Sequence, residues 1–116
     1  MKKILLIDDD ADILFYVEEA LIEAGYTVVT ANNGKTGLTL FQEQDDIKLV
    51  VTDMVMPEMG GKELIKIIRK MDHDIPIIAI SGDIETLKSS WKFKSINLIQ
   101  KPFDPEEIVI AVQGVT

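Results

Sequence analysis

The chain has 116 residues, with 12 Lys+Arg against 20 Asp+Glu and a formal net charge of -8. That length fits one domain, read here as spanning residues 1–116, and its 47% hydrophobic and 28% charged shares are those of a globular protein, not a disordered one. The absence of cysteine excludes disulfides and thiolate metal sites, and a lone histidine, His73, excludes a multi-histidine centre.

In chain order, the apolar run Ile4–Ile7 reads as a first strand, continuous rather than alternating and so buried on both faces of a parallel sheet. It runs into Asp8-Asp9-Asp10. Ile13, Val17, Leu21 and Ala24 then fall on one helical face, with Gly25 as the stop. Thr27–Ala31 is a second strand, Asn32-Asn33-Gly34 a turn, and 34–44 a weaker helix. Leu49–Val51 leads as a third strand to Asp53. Leu64, Ile65, Ile68 and Met71 form a helical stripe that leaves Lys62, Lys66, Arg69 and Lys70 to solvent. Ile77–Ile80 ends in Ser81-Gly82. The segment 84–92 is a poor helix because of Ser89 and Ser90, and Ile96–Ile99 ends in Lys101-Pro102. Asp104-Pro105-Glu106-Glu107 opens a last helix with a cap, a first-turn proline and acids that suit the dipole.

This alternation predicts an α/β fold: a five-stranded parallel sheet, doubly wound (βα)5, in the flavodoxin-like order 2-1-3-4-5. Sites in such sheets form outside the carboxyl ends of the strands, where strand order reverses. Strands one and three flank that reversal, so Asp8, Asp9 and Asp53 should share a crevice. Two carboxylates ~4 Å apart repel by about 4 kcal/mol at an effective dielectric near 20. Three together call for a cation, and oxygen-only ligands select a hard ion such as Mg2+. Singly, each residue has an ordinary reading. Asp10 caps the first helix, Asp53 sits in a turn, Ser81 is a turn hydroxyl and Lys101 a surface lysine. Their joint placement at four strand ends makes them a site. Met56 reads as core packing and His73 as a loop residue.

The motifs Ile4-Leu5-Leu6-Ile7-Asp8-Asp9-Asp10, Val50-Val51-Thr52-Asp53-Met54-Val55-Met56-Pro57, Gly60-Gly61, Ile80-Ser81-Gly82 and Lys101-Pro102-Phe103 resemble, in order and spacing, the receiver domain of response regulators. This CheY-like module is the phospho-acceptor of two-component signalling, and the resemblance runs from Lys3 to about Val112. It implies that Asp53 is phosphorylated and that Asp9 binds Mg2+ directly, with Asp8 bridged through water. It also implies a Val55 carbonyl on the metal, a Ser81 hydroxyl on the phosphoryl group, Lys101 beside it, and a cis Lys101-Pro102 peptide. The implied donor is a phosphohistidine of a sensor histidine kinase or phosphotransfer protein. In two respects the chain departs from the family. Leu98 stands where an aromatic switch residue is usual. The stretch from Ser81 to Lys101 is about two residues short and lacks the common Gly-Ala.

Two rivals compete with this reading. A haloacid-dehalogenase-type phosphatase would use Asp8 as nucleophile and Asp10 as acid, and an interaction module would bind partners without phosphorylation. A flavin site is disfavoured because Asp8 to Asp10 would repel the cofactor phosphate. Residues 88 to 101 hold Lys88, Lys92, Lys94 and Lys101 and no acid, close to Trp91 and Phe93. The fourth helix and fifth strand are therefore the expected surface for an output domain or acidic partner protein. Direct nucleic-acid binding is opposed by the net charge. No apolar run reaches the ~20 residues of a membrane span, and Ile4–Ile7 is too short for a signal peptide. A cytoplasmic location without membrane contact is therefore expected.

Overall fold

A computed structural model describes residues 2–89 and 96–115. Its strands are β1 Lys3–Ile7, β2 Thr27–Ala31, β3 Ile47–Asp53, β4 Ile77–Ser81 and β5 Ile96–Gln100. All pairings are parallel, and the order is β2-β1-β3-β4-β5, as expected. The helices are α1 Ala11–Glu23, α2 Gly34–Glu43, α3 Gly61–Met71, α4 Ile84–Ser89 and α5 Pro105–Val115.

The continuous apolar runs are explained by the two cores they feed. Leu5, Ile7 and Val50 pack with Leu64, Ile65 and Ile68 of α3. Ile4, Leu6, Leu49 and Val51 pack with Val17 and Leu21 of α1 and Ile108 and Val112 of α5. Alternate residues of each strand point to opposite faces, and helices cover both, so the apolar runs Ile4–Ile7, Leu49–Val51 and Ile77–Ile80 are unbroken. Met56 is buried in the first core, as expected.

Several boundaries differ from the sequence expectation. β3 begins at Ile47, before the apolar run Leu49–Val51, and β5 stops at Gln100, one residue short of Lys101, whereas β3 and β4 end at Asp53 and Ser81 as expected. The strands therefore carry site residues within their hydrogen-bonded ladders. Ala24 is not on the buried face of α1; it is the exposed C-cap, followed by Gly25 at φ 99°. Met71, the last residue of α3, is 49% exposed, because the stripe outruns the core by one turn. Arg69 is not left to solvent. It donates to the carbonyls of Ile75 (2.7 Å) and Asp72 (3.4 Å), tying the end of α3 to the approach of β4. α2 starts on Asn33, whose Oδ1 accepts the Thr36 N–H at 2.8 Å. Of the region expected as a basic partner surface, Lys88 is exposed, whereas Trp91, Lys92, Phe93 and Lys94 lie outside the described residues.

Candidate functional site

β1 ends at Ile7, but the Asp8 N–H still bonds the Ala31 carbonyl at 3.1 Å, which carries Asp8 along the ladder to the sheet edge. Its side chain is fully buried. Oδ1 accepts the Asp10 N–H at 2.9 Å, while Oδ2 has no hydrogen-bond partner among the described residues and lies 3.8 Å from Lys101 Nζ. Asp9 is exposed at the rim. Asp10 caps α1, its Oδ1 accepting from the Asp12 (2.9 Å) and Ile13 (3.3 Å) N–H groups.

Asp53 is the buried last residue of β3, opposite Ile80 of β4. Its Oδ1 accepts the Val55 N–H at a long 3.5 Å, and its Oδ2 is 3.3 Å from Lys101 Nζ. Gly61 lets α3 start directly against this strand end. A Cβ there would lie 2.7 Å from the Asp53 carbonyl oxygen and 2.6 Å from Met54 Sδ. The Lys101 N–H donates to the Ser81 carbonyl at 2.8 Å, and the Lys101-Pro102 peptide is cis. Ser81 is buried, and its Oγ accepts the Asp83 N–H at 3.1 Å.

One carboxylate oxygen each from Asp8, Asp9 and Asp53 lies within 4.8 Å of the others. The Asp8 carboxyl is pushed up to about 6, first by burial, with the Asp53 and Asp9 charges adding to it; the Asp10 N–H and Lys101 pull the other way. Asp53 is raised too, again first by burial, and Lys101 opposes the rise. A buried carboxylate oxygen with no hydrogen-bond partner, inside a cluster of oxygen donors, fits a hard divalent cation. Val55 and Lys101 line the same open cleft as Asp9, Asp10, Asp53 and Gly82.

The structure thus gathers Asp8, Asp9, Asp53, Val55 and Lys101 at one strand edge, with Ser81 at the end of the next strand, β4, outside the cleft lining. It does not favour the hydrolase reading. Asp8 is enclosed, with Oδ1 held by a backbone N–H, and Asp10 is committed to its cap. Leu98 is partly buried against the core on the α3 side. One residue escaped the sequence reading: Gln100, whose Nε2 donates to the Gly82 carbonyl at 2.9 Å. Its only sequence signal was its place before Lys101.

The family described as response regulator receiver domain matches residues 4–113. A probable transcriptional regulator ycf27 of Guillardia theta is 36% identical over 98% of this chain and 45% of its own length. The response regulator SaeR of Staphylococcus aureus is 28% identical over 98% and 50%. The chain spans about half the length of these curated relatives. Among solved structures, the chemotaxis response regulator CheY4 of Vibrio cholerae superposes with a TM-score of 0.87 at 28% identity, covering 100% of this chain and 99% of that one. The response regulator TrrA of Thermotoga maritima, in complex with Mg(2+)-BeF, superposes at 0.84 with 31% identity, covering 100% of both chains. With the sheet order, the acidic cluster and the lysine at their strand ends, this match means that the chain belongs to the response regulator receiver domain family.

Proposed function

We propose that the whole 116-residue chain acts as one phospho-accepting module, in which Asp53 takes a phosphoryl group from a phosphohistidine. The observation that carries this reading is Asp53 at the end of β3, within 4.8 Å of Asp8 and Asp9 oxygens and 3.3 Å from Lys101 Nζ. An Asp53 carboxylate oxygen attacks phosphorus and forms an O–P bond. The P–N bond to the donor imidazole breaks, and its electron pair leaves with the ring nitrogen. Such transfer depends on positioning and charge neutralisation more than on covalent help from the protein. Lys101 offsets the charge on the acceptor and on the incoming oxygens. The Ser81 hydroxyl donates to a phosphoryl oxygen. Asp9 and Asp53, Asp8 through water and the Val55 carbonyl would hold Mg2+, which would supply neutralisation of phosphoryl charge.

The donor is a sensor histidine kinase or phosphotransfer protein, met in the cytoplasm without membrane or direct nucleic-acid contact. Among the described residues no helix is long and apolar enough to cross a membrane. Output passes to a further domain or partner through the α4–β5 region. Support comes from an open groove lined by Ile84, Leu98 and Ile110, the last 61% exposed. The test is incubation with a small-molecule phosphodonor, with and without Mg2+, followed by intact-mass measurement. The wild type should gain one phosphoryl group only with Mg2+. Asp53→Asn should gain none, whereas labelling lost only in Asp8→Asn would restore the hydrolase reading.

A further inference from the structure

Ser81 and Gln100 are the last residues of β4 and β5 and stand opposite one another in the ladder. Beyond them, one peptide unit is clamped at both ends. The Gly82 carbonyl accepts from Gln100 Nε2 at 2.9 Å. The N–H of that same unit, belonging to Asp83, donates to Ser81 Oγ at 3.1 Å. A trans peptide points its C=O and N–H in opposite directions and moves as a plane. Fixing the carbonyl therefore fixes where the N–H aims, and with it the oxygen it meets.

This clamp bears on the cleft. Gly82 is one of the cleft's walls, and Ser81 is not. The hydroxyl of Ser81 is engaged with its own loop through Asp83. Swinging Oγ toward a group carried by Asp53 would stretch that bond unless the Gly82–Asp83 plane turned with it. A Cβ at Gly82 would meet nothing within 4 Å, so side-chain packing at that position adds nothing to hold the loop.

We infer that Gln100 is a positioning residue that, through the Gly82–Asp83 peptide, holds the Ser81 hydroxyl away from the phosphoryl site and so opposes the phosphorylated state. The inference rests on the phospho-acceptor reading and adds a restraint to it. The restraint lies on β5, one residue before Lys101, whose own N–H bonds the Ser81 carbonyl at 2.8 Å. The two strand ends that carry the hydroxyl and the lysine are thus linked by a side chain as well as by the ladder. Gln100 is solvent-exposed, so its replacement leaves the core intact.

The test compares wild type with Gln100→Met, which keeps the length of the side chain and removes its donor. The probe is Mg2+ with beryllium fluoride, an analogue of the phosphoryl group, titrated while amide signals are followed. A neutral hydrogen bond of this kind corresponds to a change of roughly threefold to tenfold in affinity. Gln100→Met should bind the analogue tighter by that factor, with an equal or slightly lower melting temperature. In the free variant, the Asp83 amide should exchange faster. A merely structural glutamine would not make binding tighter. Affinity that is equal or weaker in Gln100→Met, with wild-type binding intact, overturns this inference and leaves the phospho-acceptor reading standing. Failure of the wild type to bind the analogue overturns both.

Discussion

Asp8 is a carboxyl group held out of water with one oxygen lacking a hydrogen bond, and its folded pKa of about 6 lies above the ordinary 3.8. Between those values the folded state keeps a proton that the unfolded chain has released. Stability from this group is therefore complete below pH ~4 and lost as pH rises through about 6. At ~1.4 kcal/mol per unit the full effect is about 3 kcal/mol. Asp8→Asn cannot ionise, so denaturation should show its stability relative to wild type rising from pH 4 to 6.5, by up to ~3 kcal/mol. Added Mg2+ should shrink that difference by binding the wild-type folded state. A difference flat with pH would contradict the burial argument. Glu58, at φ 67° in the loop after Asp53, occupies the left-handed region without being glycine. Glu58→Gly should raise stability by roughly 0.5–1 kcal/mol, measured by urea denaturation.

At the scale of elements, the site depends on how helices begin. Asp10 holds the first turn of α1 by two backbone bonds, so Asp10→Ala should cost about 1 kcal/mol in thermal unfolding. The backbone N–H of residue 10 that bonds Asp8 Oδ1 is retained in this variant, so the loss falls on the cap alone. Gly61→Ala should cost roughly 1–3 kcal/mol, because its methyl group meets the Asp53 carbonyl and Met54 from inside a packed start of α3. The same experiments bear on what was legible beforehand. The strand ends were, because a parallel sheet covered on both faces writes itself as unbroken apolar runs, and the acids follow them directly. Ala24 and Met71 were misplaced because helical periodicity continues past the point where the core stops. Arg69 was misplaced because spacing cannot separate a cation facing water from one curled onto the carbonyls of Asp72 and Ile75 just past its helix. Gln100 was illegible because its bond spans 18 residues and exists only once β4 and β5 are in register.

For the whole molecule, the sheet order brings residues 8, 53, 81 and 101 to one edge though they are scattered along the chain. At that edge Asp8, Asp9 and Asp53 cluster beside the partly exposed Lys101, and such crowded carboxylates are stable where a cation or a proton offsets them. A cation bound to the folded state alone must raise the melting temperature as its concentration rises, and Asp53→Asn should weaken that dependence by removing one donor. The most direct measurement is the site of phosphorylation. After reaction with a small-molecule phosphodonor and Mg2+, borohydride trapping and peptide mass spectrometry should place the phosphoryl group on Asp53 and on no other residue. A label on Asp8, or no label on a folded, Mg2+-bound protein, would contradict the account.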